Sequence, residues 1–544
     1  MVFRNSLYFI NQFFKKFSHQ VQKFYLNSKF YDKKISNINH CDFVYKPSPH
    51  LLSSLIKYQK KKFNVDEISI ETLWNNNNIH DQDFKKIHNF YWFFSLDLKS
   101  SKKKTQNIIL KWIENNYRYN SKSWEFDLTS KRIIAWLSNH NLTYSESNTK
   151  YQEEFNKMIL KQANHLINVI NNSKLVDDRI VGCAAIILVG LSYKEQNNYL
   201  EYGLVLLKKI IKTALDSQGF PKSRNIKQIV FYLKYFILIR EWFKESQVPI
   251  PDQIDETIYY LGQGYSFAWQ NIGIDILLNG NNISNNTEFD HYLKRFGYQF
   301  KNEDKECGGY AIIKNKKISL VMDIGPSPIT KFSKNYQSGA LSFEINSNGK
   351  KLITNCGYYN KKNPKLNEIS RSTASHSTLI IDDNSSCSFE KIKSSNKLIK
   401  DGLKILNKNT ILEKNYWMIK ASHNGYLKKY NSIHERKIEF YTDQLKFVGT
   451  DKILNKKNNF NIKFEIRFHL HPDTKLMKTQ DNKTILIELK DEGWKFICNN
   501  FDINIDNGLF FGNKNSYTPN QNIFISGITT NQNENIVWEL TKIQ

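Results

Sequence analysis

The sequence has few cysteines, and they are widely spaced. Six occur in 544 residues, and no two form a CxxC pair. They are Cys41, Cys183, Cys307, Cys356, Cys387 and Cys498. Disulfide-rich secreted domains and zinc ribbons need closely grouped cysteines, so this spacing excludes both as the basis of the fold. The thiols are therefore expected to be reduced, in a reducing compartment.

Long apolar runs are also missing. No stretch of uncharged apolar residues reaches the roughly 18 that a membrane-spanning helix needs. Residues 1–26 lack the continuous apolar region and the small-residue cleavage site of a secretory signal, and they mix Phe and Tyr with Lys and Arg. Such a segment either packs as a helix on its own domain or lies on a membrane surface. The protein is therefore expected to be cytoplasmic or peripheral to the inner membrane.

Acidic residues are scarce relative to basic ones. The 78 Lys and Arg against 52 Asp and Glu give a formal charge of +26, which predicts a polyanionic partner. The alternative is that the abundance of Lys, Asn and Ile reflects an AT-rich genome. A nucleic acid is suggested by charge only, because the sequence contains no RNP, helix-turn-helix or zinc motif.

Two different hydrophobic periodicities divide the chain. From about residue 84 to 265, helical spacing in segments such as TQNIILKWIENNY predicts seven or more successive helices with short polar connections. After about residue 306, alternating runs such as RKIEFYTDQLKFVGTD predict antiparallel strands and tight turns. A helical half followed by a strand half predicts separate α and β domains, the second a sandwich.

We predict three regions from these patterns. An N-terminal extension, 1–80, packs on a helical domain, 81–300, and a β domain occupies 301–544. The boundary is expected in the polar segment 280–305, which is poor in apolar residues at its start.

Four stretches go beyond secondary structure, and their order and spacing are specific. They are GFPKSRN (219–225), YQSGALSFEINSNGKKLITNCG (336–357), SRSTASHSTLIIDD (370–383) and IRFHLHPD (466–473). Together with FYWFFSLDL, WEFDLTSKRIIAWLS and HERK, they resemble the heparinase II/III-like family of polysaccharide lyases, in particular a bacterial branch of it. The resemblance implies a multidomain α and β fold, with an N-terminal incomplete (α/α) toroid followed by a C-terminal antiparallel β-sandwich and an active cleft between them.

The chemistry implied by this resemblance is β-elimination at uronic acids of acidic polysaccharides such as glycosaminoglycans or alginate. The C5 proton beside a carboxylate is weakly acidic, so the carboxylate must be neutralised while a base removes that proton. An acid must then protonate the departing O4. Arg and Lys for the polyanion and aromatic faces for the sugar rings complete the requirements.

Asn225 matches the position where relatives place an Asn or His that neutralises the uronate carboxylate, and Arg224, which precedes it, is expected to bind the substrate. The start of a predicted helix also offers unpaired N–H groups and the positive end of a dipole to an anion. The alternative is that Asn225 caps the helix, and both roles can hold.

Relatives supply the base as a tyrosine on a later helix or the following loop. Tyr259, Tyr260 and Tyr265 are the candidates. Tyr265, in the Gly-bounded stretch GQGYSFAWQNIG, is the first choice as a catalytic residue, and Trp269 beside it is expected to stack on a sugar. Packing in the core is the alternative for each tyrosine.

In the β domain, relatives carry a histidine just before GALSFE, where this sequence has Tyr336 and Gln337, both expected to bind substrate. Gln cannot titrate, so either the proton is handled elsewhere or activity has been lost. His376 matches a histidine that ligates zinc in some members and is a predicted catalytic residue; a buried structural histidine is the alternative. The second ligand position is Asn355, and this poor ligand set predicts no cofactor.

Basic and histidine side chains elsewhere in the β domain have further candidate roles. Arg371 and Arg467 are expected to contact anionic groups of the substrate or of the protein. His469 and His471 lie on one face of a predicted strand, a spacing compatible with metal ligation or with an ordinary polar strand face.

The leading hypothesis is a lyase that cleaves a uronate-containing acidic polysaccharide by β-elimination. The alternative is a non-catalytic protein that binds a carbohydrate or envelope polymer through a decayed lyase site, favoured by Gln337 and Asn355. Either way the predicted partner is an acidic polysaccharide and not a nucleic acid.

Overall fold

In the computed structural model, most helices precede the strands along the chain. The structure describes residues 20–38, 42–53, 55, 64–69, 73–74, 80–173, 175–193, 197–284, 286–361, 363–391, 397–456, 461–513, 517–530 and 533–543. The helix Thr287–Arg295 precedes the first strand, which begins at Glu306, and only short helices follow. The predicted change from helices to antiparallel strands is therefore confirmed.

Two compact units are made from interleaved segments. One comprises residues 1–213 and 232–258, and the other comprises residues 214–231 and 259–544. Residues 214–231 and 259–300, which include helical residues, therefore belong to the same unit as the strands. The predicted domain ranges 1–80, 81–300 and 301–544 have other boundaries than these two units, and they stay a prediction.

The helical unit contains the helix Val176–Ser192, in which residues 180–192 are all buried. Its helices are Lys29–Ile35, Pro49–Ser53, Asp81–His88, Lys102–Asn116, Phe126–Ser138, His140–Thr143, Thr149–Val169, Val176–Ser192 and most of Asn197–Ala214, with parts of Ile226–Glu245 and Asp252–Tyr265. Val176–Ser192 packs on Phe126–Ser138 and Thr149–Val169, and it is buried from Cys183 to Val189. Among the described residues, no helix is both long enough and apolar enough to cross a membrane.

The second unit contains the strands. In chain order they are β1 Glu306–Cys307, β2 Tyr310–Lys314, β3 Ile318–Asp323, β4 Phe343–Ser347, β5 Lys350–Thr354, β6 Leu379–Ile381, β7 Ser388–Lys391, β8 Lys397–Asp401, β9 Ile405–Leu412, β10 Tyr416–His423, β11 Ser432–Tyr441, β12 Lys446–Asn455, β13 Lys463–Leu470, β14 Thr474–Lys478, β15 Thr484–Leu489, β16 Glu492–Ile497, β17 Ile503–Phe510, β18 Thr518–Ile528 and β19 Asn533–Lys542.

These strands form two large antiparallel sheets and one small one. The first sheet has the order β1-β2-β3-β4-β5-β13-β18-β17, with β6 also paired to β13. The second has the order β14-β15-β16-β19-β12-β11-β10-β9, and β7 pairs with β8. Consecutive strands are mostly neighbours, as expected where short turns connect antiparallel strands.

The two large sheets share one apolar core, which makes the unit a sandwich. The ring of Phe343 in β4 stacks on that of Trp538 in β19 with 5.5 Å between centroids, and Phe468 in β13 meets Phe496 in β16 at 4.8 Å. The five cysteines in the described residues are buried free thiols, and Cys41 lies outside those residues. Disulfides therefore play no part in this core.

Candidate active site

The residues of the candidate site lie around Gly280, in the loop that precedes the helix Thr287–Arg295. The φ of Gly280 is +88°, and a Cβ placed on it would come within 2.8 Å of both Asn225 Nδ2 and Asn335 Cβ. Its N–H donates to Gln337 Oε1 at 2.9 Å. The left-handed backbone and the crowding both require glycine here. Asn225 and Gln337, two predicted site residues distant in sequence, therefore meet at one backbone position.

Asn225 immediately precedes the helix Ile226–Glu245 and is buried, with 4% of its surface exposed. Its Oδ1 accepts a hydrogen bond from the N–H of Lys227 at 2.9 Å, which caps the helix. Its Nδ2 faces Gly280 and has no hydrogen-bond partner among the described residues. The side chain thus caps the helix with one end and keeps an amide donor available at the other.

The Arg224 guanidinium is committed to a buried network. Its Nη2 lies 2.6 Å from Asp323 Oδ1 and 2.8 Å from the carbonyl oxygen of Gly309. Its Nε and Nη1 donate to further backbone carbonyls at 3.2 Å, and the residue is 6% exposed. Because its donors are satisfied within the protein, this geometry favours a structural role. Substrate binding by Arg224 stays a prediction.

The loop that carries Gly280 is part of the same network. Asn279 donates through Nδ2 to Asp323 Oδ2 at 3.0 Å and to Tyr310 Oη at 2.7 Å. Tyr310 in turn donates to the carbonyl oxygen of Arg224 at 2.6 Å. Asn279, which directly precedes the segment predicted to contain the domain boundary, is 1% exposed and belongs to the same unit as the strands.

A tyrosine that the motifs did not single out lies beside these residues. Asn282 holds the backbone of Tyr358 at both ends, accepting from its N–H at 2.6 Å and donating to its carbonyl at 2.7 Å. Tyr358 Oη donates to Asn335 Oδ1 at 3.2 Å. Because Asn335, like Asn225, borders Gly280, Tyr358 is connected to the residues around Gly280 through one hydrogen bond.

The loops around Gly280 are stabilised by hydrogen bonds that involve Gln337, Tyr336 and Arg371. Gln337 is fully buried, and its Nε2 donates to the carbonyls of Gly357 at 3.0 Å and Ser370 at 2.6 Å. Arg371 donates to the carbonyl of Tyr336 at 2.8 Å and to two other carbonyls. Burial raises the pKa of the Tyr336 hydroxyl well above its usual value. Substrate contact by these three residues stays a prediction, and their observed bonds are structural.

Tyr265 and Trp269 share a carboxylate. Tyr265 Oη donates to Asp290 Oδ1 at 2.9 Å, and Trp269 Nε1 donates to Asp290 Oδ2 at 2.9 Å. Burial and the Asp290 carboxylate both raise the pKa of Tyr265, which is 1% exposed. A base must lose its proton readily, so this geometry argues against Tyr265 as the base. The roles predicted for Tyr265 and Trp269 remain without geometric support.

Comparison with known proteins assigns the strand region to a family. Residues 303–539 match the family model described as Heparinase II/III-like, C-terminal. This part of the chain is a heparinase II/III-like C-terminal domain. The resemblance carried by the four motifs is therefore confirmed. A search of curated proteins gives no match for the chain.

Solved structures extend the similarity of this heparinase II/III-like chain beyond that domain. A heparan sulfate lyase HepC mutant from Pedobacter heparinus superposes with a TM-score of 0.68 at 13% identity, covering 94% of this chain and 86% of the other. A heparinase III superposes with a TM-score of 0.67 at 15% identity, covering 94% and 88%. The chain thus has the polysaccharide-lyase fold, and the predicted combination of an incomplete α/α toroid and an antiparallel β-sandwich is confirmed.

His376 lies inside the heparinase II/III-like domain and is fully buried. Its Nδ1 is 2.8 Å from the carbonyl oxygen of Ser372, which makes Nδ1 the protonated nitrogen, and its Nε2 has no partner among the described residues. Burial lowers its pKa to about 4. The predicted alternative, a buried and hydrogen-bonded histidine, describes these contacts, and a catalytic role stays a prediction.

The residues around His376 do not fit a zinc ion. Asn355 donates to Glu344 Oε1 at 3.3 Å and accepts from the N–H of Ser377 at 3.0 Å, so its amide is already engaged. Within the described ranges, no group of three or more His, Cys, Asp or Glu side chains is arranged to hold a metal. His469 bonds to the carbonyl of Ala374 at 2.9 Å, which supports the ordinary interpretation of the polar strand face.

Sequence reasoning missed the Asn-rich segment LLNGNNIS as part of the site. Gly280 and Asn282 lie in the polar segment 280–305 that is predicted to contain the domain boundary, and Asn279 directly precedes it. One signal was available: a buried apolar pair, Leu277 and Leu278, runs directly into Asn279, which is unusual for a solvated linker. Tyr358 carried no signal beyond its place after the NCG stretch.

Proposed function

We propose that this protein is a polysaccharide lyase that cleaves a uronate-containing acidic polysaccharide by β-elimination. The observation that carries the proposal is Asn225, whose Oδ1 caps a helix while its Nδ2 lies beside Gly280 with no hydrogen-bond partner in the described part of the chain. The polysaccharide-lyase fold and the net charge of +26 support the same class of substrate.

In the proposed reaction, the uronate carboxylate accepts a hydrogen bond from Asn225 Nδ2. The positive end of the dipole of the helix Ile226–Glu245 adds to the neutralisation. A base then takes the C5 proton, the C4–O4 bond breaks with its electron pair leaving on O4, and a C4=C5 double bond forms. The departing O4 takes a proton from a general acid. Because negative charge moves onto the carboxylate in the transition state, the bond from Asn225 strengthens there and lowers the barrier.

For the proton transfers we propose Tyr358 in place of Tyr265. Among the described residues, the Tyr358 hydroxyl makes one hydrogen bond, of 3.2 Å to Asn335, whereas the Tyr265 hydroxyl donates to the carboxylate of Asp290. The double hydrogen bond from Asn282 fixes the backbone of Tyr358, which is the preorganisation that a proton-transfer group requires. In its deprotonated form Tyr358 takes the C5 proton as base, and the phenol so formed returns that proton to O4 as acid, which restores the tyrosinate.

The test is a screen of acidic polysaccharides, namely heparin, heparan sulfate, chondroitin sulfate, hyaluronan and alginate, read by the ultraviolet absorbance of unsaturated uronate. The proposal expects product from at least one polymer with the wild-type protein and loss of that product with Asn225→Asp. That variant keeps the capping oxygen and removes the amide donor. Absence of unsaturated product from every polymer would overturn the proposal.

The second candidate is a polymer-binding protein with a decayed lyase site. The observation that favours it is Gln337, which occupies the position of a histidine in the resembling proteins and is held by three hydrogen bonds. A side chain so engaged neither titrates nor turns toward a ligand. Tight binding of one of the same polymers without any unsaturated product would establish this function instead.

A further inference from the structure

Two phenylalanines near the N-terminus are unusually exposed. Phe24 has 81% of its surface exposed and Phe30 has 70%, and Val21, three residues before Phe24, has 52%. Single exposed apolar residues are ordinary, but two such exposed aromatic side chains within seven residues make this segment a candidate contact surface. We define Val21, Lys23, Phe24, Lys29, Phe30 and Lys33 as the N-terminal surface.

The exposed side chains are held in place by the opposite face of the same segment. In the helix Lys29–Ile35, Tyr31 and Ile35 are fully buried, and Tyr31 Oη lies 2.7 Å from His165 Nδ1. The Oγ of Ser28 caps this helix by accepting from the N–H of Tyr31. Tyr31 and Ile35 lie on the buried face of this helix. Phe30 therefore lies on the face that points away from the helical unit.

The charge around these phenylalanines has one sign. Lys23, Lys29 and Lys33 are all exposed on the N-terminal surface. The first 35 residues contain the basic residues Arg4, Lys15, Lys16, Lys23, Lys29, Lys33 and Lys34 and a single acidic residue, Asp32. Asp32 is itself paired with Lys161 at 2.8 Å. The six residues of the N-terminal surface are therefore apolar or basic, and none of them is acidic.

We infer that the N-terminal surface docks the protein on an anionic membrane surface. Lysines near a membrane are attracted to anionic headgroups, and phenylalanine inserts at the boundary between headgroups and acyl chains. An acidic polysaccharide would also attract the lysines, but the two exposed rings are Phe, which have no hydrogen-bonding group to offer to sugar hydroxyls, as Tyr and Trp have. The inference is independent of whether the protein is a lyase.

The experiment is co-sedimentation of the full chain with vesicles of phosphatidylcholine containing a quarter phosphatidylglycerol, and with vesicles of phosphatidylcholine alone. We expect binding to the anionic vesicles that falls steeply in high salt. The variant Phe24→Ser with Phe30→Ser should weaken binding by about tenfold for each ring removed. The matched control is Leu98→Ser with Val205→Ser, since these residues are each 66% exposed but lie outside the N-terminal surface.

Three results would overturn the inference. One is failure of the wild-type chain to bind anionic vesicles. Another is an equal loss of binding in the control variant. The third is binding of heparin that falls as much as vesicle binding in the Phe24→Ser, Phe30→Ser variant, because this would make the surface a polysaccharide site.

Discussion

The guanidinium of Arg224 and the carboxylate of Asp323 lie 2.6 Å apart, with both side chains buried. Arg224 has a positive φ of 62°, and it joins the turn before the helix Ile226–Glu245 to the end of strand β3. Asp323 also accepts from Asn279, the residue before Gly280. This ion pair therefore fixes the two loops that carry Asn225 and Gly280.

We expect Asp323→Ala to destabilise the protein by roughly 3–5 kcal/mol, because it leaves a buried guanidinium without its carboxylate. The free energy of unfolding in urea measures the effect. The matched control is Asp401→Ala, which removes an ion pair to Lys428 in which both side chains are exposed, and it should change stability little. Equal stability of the two variants would show that the buried pair does not hold these loops.

Gly280→Ala should lower both stability and turnover, because its Cβ would strike Asn225 Nδ2 and Asn335. The control is Gly273→Ala, whose φ is also positive, at +71°, but whose Cβ would meet nothing within 4 Å. The left-handed backbone alone costs about 1 kcal/mol in either variant. Turnover assays on the two proteins separate this shared cost from the displacement of Asn225. The prediction is wrong if both variants retain full turnover.

The order and type of the secondary structure elements could be predicted because the spacing of apolar residues along the sequence follows which side chains are buried. Strand β13 shows this, since Phe464, Ile466, Phe468 and Leu470 alternate in the sequence and are all buried. The capping position of Asn225 was likewise readable from SRN before an apolar helix. In both cases the local sequence pattern was sufficient to predict the structure.

The contacts of the candidate site could not be predicted in the same way. The Gly-bounded surroundings of Tyr265 favour it as the base, but no local signal tells that Asp290, 25 residues later, accepts a hydrogen bond from its hydroxyl. The role of Arg224 depends on Asp323, about a hundred residues away along the chain. Such pairings arise from tertiary packing, which hydrophobic periodicity does not encode.

Asn225→Asp should reduce kcat by at least about 10² to 10³, because it removes a donor that acts most strongly in the transition state and places a second carboxylate beside that of the substrate. Its stability should stay close to wild type, since the capping oxygen is kept. The control is Asn363→Ala at the N-cap of the helix Pro364–Arg371, where Asn363 accepts from two backbone N–H groups. That change should cost about 1 kcal/mol of stability and leave turnover intact.

Tyr358→Phe should reduce kcat by about 10² to 10⁴ while polymer binding persists, because only the proton-transfer hydroxyl is lost. Tyr265→Phe should instead leave Asp290 with one bond fewer and lower stability by about 1–3 kcal/mol with turnover retained. Tyr359→Phe is the neighbouring control and should be close to wild type. If Tyr265→Phe abolishes turnover in a folded protein and Tyr358→Phe does not, the proton-transfer roles are reversed.

Stability should fall as the pH is lowered from about 6.5 to 4, because buried histidines must take up protons when the chain unfolds. Burial lowers the pKa of His376 to about 4 and that of His469 to about 3. Below pH 6.5 the unfolded state therefore binds more protons than the folded state, so the stability present near neutral pH is lost on acidification.

For His376 alone, the loss between pH 7.5 and pH 5.0 should be about 2 kcal/mol. Urea unfolding at the two pH values measures it. The variant His376→Asn keeps a donor for the carbonyl of Ser372 but cannot titrate, so its stability should fall less between these pH values. His291→Asn, at an exposed position, controls for the His-to-Asn change itself and should have wild-type stability at pH 7.5. An unchanged pH dependence in His376→Asn would mean that His376 is protonated in the folded protein at pH 5.0.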